Sequence, residues 1–245
     1  MARPGQGNQR VDGRRADELR PMKIIRRYTC FAPGSVLIEM GLTRVLCTAS
    51  FEPAVPPWLK GSGKGWLTAE YGMLPSCTPD RKKRSEGKTD GRAQEIQRLI
   101  GRSLRAIINL ETMGENTIWI DCDVLQADGG TRTASINGAY VALVDAVRHG
   151  LAKGILKANP LTGSVGAVSA GLVGGKVLLD LNYLEDSGAE VDFNVVMTGD
   201  GKLIEVQGTA EHGTFSRKQM QDIITLTEQG IHRIFKLQNQ VLKKR

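Results

Sequence analysis

The chain is expected to fold as an α+β protein. Runs of alternating polarity and runs of helical periodicity come in blocks, strands and then helices, twice over. The segment Gly41-Leu42-Thr43-Arg44-Val45-Leu46 is echoed by Gly171-Leu172-Val173-Gly174-Gly175-Lys176-Val177-Leu178, a faint internal duplication. No linker is long enough to require two independent domains, so residues 1–245 are read as one domain.

The first block opens with a hairpin over residues 35–52. Val36, Leu37, Ile38 and Met40 lead to a turn near Gly41, and Val45, Leu46 and Cys47 return from it. Pro53, Pro56 and Pro57 end the second strand, and a Gly-rich segment follows at 61–66. Residues 79–91 are expected to form a mobile basic loop, since they carry Arg81, Lys82, Lys83, Arg84 and Lys88 with almost no apolar residue. A helix is expected over 93–110, where Ile96, Leu99, Ile100, Leu104, Ile107 and Ile108 recur at three- and four-residue steps. Residues 117–125 alternate, with Ile118, Ile120, Cys122 and Val124 on one face and Asp121 and Asp123 on the other. A second helix is expected over about 133–149, with Ile136, Tyr140, Leu143 and Val147 as its buried stripe.

The second block reads as strands over 165–173, 177–181, 191–197 and 203–206. Ser216 followed by Gln219 is a capping-box pattern that starts a final helix.

Composition narrows the function classes. With 245 residues and 40% apolar content the chain can bury a sizeable core. No apolar run approaches the roughly 20 residues of a membrane span, and the polar, basic N-terminus lacks a signal-peptide core. A soluble cytoplasmic protein with no membrane partner is expected, with residues 1–9 as a flexible extension. The four cysteines form no C-x-x-C pair and read as buried thiols, and the three histidines lack metal-ligand spacing. A net charge of +7, clustered in sequence, favours a polyanionic partner.

Four stretches carry candidate chemistry. Gly129-Gly130-Thr131-Arg132 follows a strand and opens a helix, where flexible glycines and unpaired N–H donors suit an anion, most naturally phosphate. A plain strand-to-helix turn capped by Thr133 or Ser135 is the alternative. Arg92, after Asp90-Gly91, precedes the other helix of this half, so Arg92 and Arg132 could grip one phosphate if the two helix starts converge. Asp180 and Asp186, with Glu185 and Asp192 near, group carboxylates after a strand, which suits a hard divalent ion or an acidic turn in solvent. Arg81 to Arg84 suit sequence-blind phosphate contacts or a solvated loop.

Read together, these pieces resemble the RNase PH family of bacterial phosphate-dependent 3′-to-5′ exoribonucleases, also called tRNA nucleotidyltransferases. The resemblance runs through Arg10-Val11-Asp12-Gly13-Arg14, Glu18-Leu19-Arg20-Pro21 and Gly63-Lys64-Gly65-Trp66-Leu67-Thr68-Ala69-Glu70-Tyr71. It continues with Glu95 to Arg102, Asp121 to Thr133, Leu179-Asp180-Leu181-Asn182-Tyr183 and Glu190-Val191-Asp192. It implies two pseudo-repeated βαβα-type halves in one RNase PH-like domain, assembled as a homohexamer, a trimer of dimers. It implies that Arg92, Gly130, Thr131 and Arg132 hold inorganic phosphate as co-substrate. It further implies that Asp180 and Asp186 form the catalytic and metal centre for Mg²⁺, with Mn²⁺ as the alternative ion. Arg81, Lys82, Lys83 and Arg84 resemble the RNA-binding loop that holds tRNA. The implied activity trims tRNA precursors and other RNA 3′ ends, releasing nucleoside 5′-diphosphates, with nucleotide addition as the reverse reaction. The rival readings are a non-catalytic RNA-binding ring subunit, a hydrolytic exoribonuclease and a small-molecule kinase; the last lacks a Walker-type sequence.

Overall fold

The computed structural model describes residues 10–83, 90–211 and 213–244. Strands β1 (Met22–Arg26), β2 (Gly34–Met40), β3 (Thr43–Glu52), β4 (Trp66–Met73) and β5 (Thr117–Gln126) form one sheet in the order β1-β2-β3-β5-β4. Its neighbours are antiparallel except β4 and β5, which run parallel and are joined through helix α1 (Gly91–Arg105). A parallel pair needs such a crossover. Alternation determines the register: Val36 and Ile38 of β2, Val45 and Cys47 of β3, and Ile118, Ile120, Cys122 and Val124 of β5 are all buried.

Helix α2 (Thr131–Ala152) lies between this sheet and a second one, packing on β2 and β3 and also on β6. The second sheet comprises β6 (Val165–Val173), β7 (Lys176–Leu179), β8 (Val191–Thr198) and β9 (Leu203–Ala210), antiparallel in the order β7-β6-β8-β9. Short helix α3 (Tyr183–Ser187) links β7 to β8, and long helix α4 (Arg217–Lys243) packs on β6 and β7. Ser216 and Gln219 make the expected reciprocal cap at the start of α4.

Sandwiching explains a difference at α2. Its sequence suggested one buried stripe, but nearly its whole circumference from Thr133 to Val147 is buried. A helix covered on both faces is not amphipathic. Small residues make room: a Cβ on Gly138 would fall 2.7 Å from Cys47 Sγ. On the other face the Asn137 side chain donates to Ala167 O (2.8 Å) and accepts from Ala167 N (2.9 Å), pairing with the backbone of β6.

Element ends shift for local reasons. Helix α1 stops at Arg105 rather than Leu110, because Ile108 bridges to Leu161 and Asn109 N donates to Pro160 O. Strand β7 stops at Leu179, where Asp180 turns to a left-handed φ of 53°. Strand β9 runs on to Ala210, and β1 and β4 add strands that the alternation did not mark. The two echoed segments both fall on hairpin turns, Gly41 between β2 and β3 and Gly174–Gly175 between β6 and β7, all with positive φ. The pseudo-repeated α+β architecture is thus the one expected.

All four cysteines are free. Cys47 and Cys122 face each other across β3 and β5 with sulfurs 3.8 Å apart, whereas Cys30 is exposed, unlike the buried thiol expected there. Among the described residues no helix is long and apolar enough to cross a membrane.

Candidate active site

The turn Asp128-Gly129-Gly130 delivers β5 into α2. Gly129 and Gly130 both have positive φ, 74° and 63°. A Cβ on Gly129 would lie 2.7 Å from Leu181 O, so the turn presses directly on the chain leading into α3. Gly130 is the N-cap of α2 and supplies no capping side chain. The hydroxyls expected as alternative caps point elsewhere: Thr133 Oγ1 donates to Gly130 O (2.9 Å) and Ser135 Oγ to Thr131 O (2.8 Å). The first-turn N–H groups therefore keep their capacity for an external acceptor.

Around this helix start the candidate side chains gather. Thr131 Oγ1 shares a 2.8 Å hydrogen bond with the Tyr71 hydroxyl of β4. Arg132 Nη1 donates to Gln207 Oε1 of β9 (2.6 Å) and pairs with Glu95 Oε1 of α1 (3.3 Å). Gln207 Nε2 closes the triangle by donating to Glu95 Oε1 at 2.9 Å. Arg92 lies exposed in the first turn of α1, behind an Asp90 carboxylate that accepts from its backbone N–H at 3.0 Å. The charges of Arg92 and Arg132 both bear on Tyr71, Asp186 and Asp192. The two helix starts thus share one electrostatic neighbourhood.

The acidic side of that neighbourhood is Asp186 on α3 and Asp192 on β8. Burial pushes the Asp186 carboxyl above its ordinary value and the charge of Asp192 pushes it further, while Arg92, Arg132 and Arg20 pull it back. Burial, then Glu211, raises Asp192, with Arg132 and Arg92 opposing. Asp192 Oδ1 is buried with no hydrogen-bond partner among the described residues, an acceptor that calls for a donor or a cation. Burial also raises the Tyr71 hydroxyl, while Thr131, Arg92 and Arg132 oppose it.

Asp180 departs from expectation. Its side chain is fully buried, and both carboxylate oxygens are already engaged: Oδ2 accepts from Arg20 N (2.7 Å) and Nε (3.1 Å), and Oδ1 accepts from Arg20 Nη2 (2.7 Å). Its carbonyl accepts from Arg10 Nη2 (2.9 Å) and Arg14 Nη1 (3.0 Å). Here Asp180 is the centre of a buried arginine cluster, and the carboxylates whose proton affinity the charges of Arg92 and Arg132 lower are Asp186 and Asp192. The family resemblance paired Asp180 with Asp186; here the path of the chain after β7 turns Asp180 inward, onto Arg20. Among the described residues no group of three or more His, Cys, Asp or Glu side chains is placed to hold a metal. A pair of carboxylates still fits Mg²⁺, which keeps water and substrate oxygens in most of its positions.

The basic loop starts beside the same turn. Cys77 O accepts from Ala127 N (2.8 Å) and Leu74 N donates to Val124 O (3.0 Å), anchoring the loop on the end of β5. Arg81, Lys82 and Lys83 are exposed there, and Arg84 lies outside the described residues. Tyr71, Gln207 and Arg20 also belong to this site. Arg20 and Tyr71 sat within recognised motif pieces, but no one-dimensional signal shows that they touch Asp180 and Thr131.

Comparison with known proteins bears on the family and the fold. A family model described as 3′ exoribonuclease family, domain 1, matches residues 18–149, and the domain 2 model matches residues 163–230. Rice (Oryza sativa) Rrp46 is similar at 24% identity and a TM-score of 0.78, over 96% of this chain and 100% of that one. An Archaeoglobus fulgidus exosome described with RNA bound to the active site is similar at 21% identity and a TM-score of 0.80, over 94% and 92%. An archaeal exosome core is similar at 21% identity and a TM-score of 0.77, over 95% and 92%. At such identities these structures speak to the fold. The two domain matches together span most of the sequence, and the chain belongs to the 3′ exoribonuclease family.

Proposed function

We propose that this protein is a phosphorolytic 3′-to-5′ exoribonuclease that uses inorganic phosphate to trim tRNA precursors and other RNA 3′ ends. The observation that supports the reading is the uncapped start of α2, with the charges of Arg92 and Arg132 both acting on two carboxylates whose proton affinity is raised.

Phosphorolysis must bring a dianion against a phosphodiester. Arg92 and Arg132, the Thr131 hydroxyl and the first N–H groups of α2 neutralise and orient the attacking phosphate. An oxygen of that phosphate bonds to the terminal phosphorus, and the bond from phosphorus to the 3′ oxygen of the preceding nucleotide breaks. The products are a nucleoside 5′-diphosphate and an RNA one residue shorter, whose new 3′ oxygen takes up a proton. Asp186, whose proton affinity burial and the Asp192 charge raise, is the side chain suited to carry that proton. Asp186 and Asp192 would hold Mg²⁺, or Mn²⁺, which when bound offsets charge on the transferring group and the leaving oxygen. No covalent intermediate is needed, and reversal adds nucleotides from diphosphates.

The tRNA preference rests on the exposed Arg81, Lys82 and Lys83 at the rim, and the homohexamer rests on the family resemblance. One experiment tests the core reading. A tRNA with extra 3′ nucleotides is incubated with and without orthophosphate, and the released nucleotide is identified. Diphosphates formed only with phosphate support the reading. Monophosphates formed without phosphate indicate a hydrolase, and no release with intact RNA binding indicates a non-catalytic ring subunit.

A further inference from the structure

The N-terminal arm, residues 10–21, brings three arginines to Asp180, the residue just after β7. Arg10 makes a two-pronged pair with Glu185, Nε to Oε1 at 2.7 Å and Nη2 to Oε2 at 2.5 Å, and donates to the carbonyls of Leu179 (2.7 Å) and Asp180. Arg14 donates to the same Asp180 carbonyl. Arg20 grips the Asp180 carboxylate through three hydrogen bonds and, with its other edge, donates from Nη1 to Asp128 O at 2.5 Å. The Arg20 side chain is 3% exposed. Burial alone would lower its proton affinity, but the Asp180 charge and hydrogen bonds more than offset this and hold the guanidinium above its ordinary value.

Two further observations show that Arg20 joins the halves of the site rather than merely filling the core. Its Nη2 would lie 2.8 Å from a Cβ on Gly130, so it packs against the N-cap of α2. Asp180, two residues before the N-cap of α3, holds a left-handed backbone, which is uncommon outside glycine though aspartate adopts it more readily than most. The turn Asp128–Gly130 and the helix bearing Asp186 are thus joined twice: directly, where Gly129 packs on Leu181 O and Tyr183 N donates to Asp128 Oδ1 (3.2 Å), and through the Arg20 guanidinium, which ties the turn to the Asp180 carboxylate.

We propose that Arg20 is a positioning residue that, beside the direct contacts of the turn with α3, holds the phosphate-binding turn at its distance from the Asp186–Asp192 pair, with Asp180 as its anchor. The inference rests on the phosphorolytic reading for its consequence in turnover, but not for its consequence in anion binding. Arg20 does not reach substrate; it acts through the turn, so its loss falls on phosphate and spares RNA.

The test uses the full chain as wild type, Arg20→Lys and Asp180→Asn. Orthophosphate binding is measured by calorimetry, RNA binding is measured without phosphate, and turnover is measured with both. Lysine keeps the charge but cannot hold the Asp180 carboxylate and the Asp128 carbonyl together. The expected result is a phosphate affinity and kcat about 10- to 100-fold lower in Arg20→Lys, as for a small misplacement of a reacting group. RNA affinity stays within about twofold of the wild type, because the phosphate-contacting basic loop is untouched. Unchanged phosphate affinity in a folded Arg20→Lys overturns the proposal, as does an equal loss of RNA and phosphate binding. Should Arg20→Lys fail to fold, Asp180→Asn decides in its place: it cuts the anchor's charge, and an unchanged phosphate affinity there overturns the proposal too. A wild type that binds orthophosphate but releases monophosphates refutes the phosphorolytic reading and leaves the Arg20 outcome to the binding arm.

Discussion

The Tyr71 hydroxyl lies 2.8 Å from Thr131 Oγ1, tying β4 to the first residue of α2. The same phenol feels both Arg92 and Arg132. It therefore orients a threonine hydroxyl at the spot where the backbone N–H groups are uncapped. Tyr71→Phe is expected to cost at most about 1 kcal/mol of stability, the net worth of one hydrogen bond. Its phosphate KM should rise several-fold with RNA affinity unchanged; equal phosphate KM in both proteins would remove Tyr71 from the site.

Arg132→Ala and Arg92→Ala should each reduce phosphate-dependent shortening by about 100- to 1000-fold, the range for one lost transition-state donor. Gel-shift binding of RNA should be largely kept. Arg132→Ala also strips Glu95 and Gln207 of a partner, so its melting temperature should be followed alongside. Normal turnover in both variants would refute the clamp.

Asp186→Asn tests the cost of holding a carboxylate beside Asp192. A carboxyl raised in the folded state binds more protons when folded than when unfolded between its ordinary and raised values. Stability contributed by its protonated form is present at low pH and lost as pH rises through that window. With no metal added, Asp186→Asn should therefore melt higher than the wild type at neutral pH, and the gap should close in acid. Turnover should be crippled in the same variant. A lower melting point at neutral pH would show that the Asp186 charge is already compensated without a cation.

Asp192 and Asp180 separate by metal dependence. Asp192→Asn should shift the Mg²⁺ midpoint of turnover upward, since Asp192 Oδ1 is a buried acceptor with no partner among the described residues. Asp180→Asn should leave that midpoint in place while weakening phosphate binding, because both oxygens of Asp180 are bound to Arg20. A Mg²⁺ midpoint moved by Asp180→Asn alone would restore Asp180 as the ligand.

Replacing Arg81, Lys82 and Lys83 by glutamine should weaken tRNA binding and flatten its dependence on salt. Three lost single-strand phosphate contacts would reduce the slope of log K against log salt by about 2. An unchanged slope would make these side chains solvated surface.

The sequence by itself determined the pieces whose physics is local. The alternation of β5 and the Gly-rich start of α2 are carried by neighbours along the chain, and so are the Ser216–Gln219 cap and the basic character of Arg81 to Lys83. One stripe on α2 was also legible, but its burial on both sides was not, since periodicity cannot reveal a second sheet. The partners of the carboxylates were decided by tertiary structure alone. Asp180 and Asp186 look alike in a linear reading, six residues apart after one strand. A left-handed turn at Asp180 sends the first into the grip of Arg20, 160 residues away in sequence, and leaves the second under the charges of Arg92 and Arg132. Charge pairing acts through space over a few ångströms, so only the folded chain could choose between them.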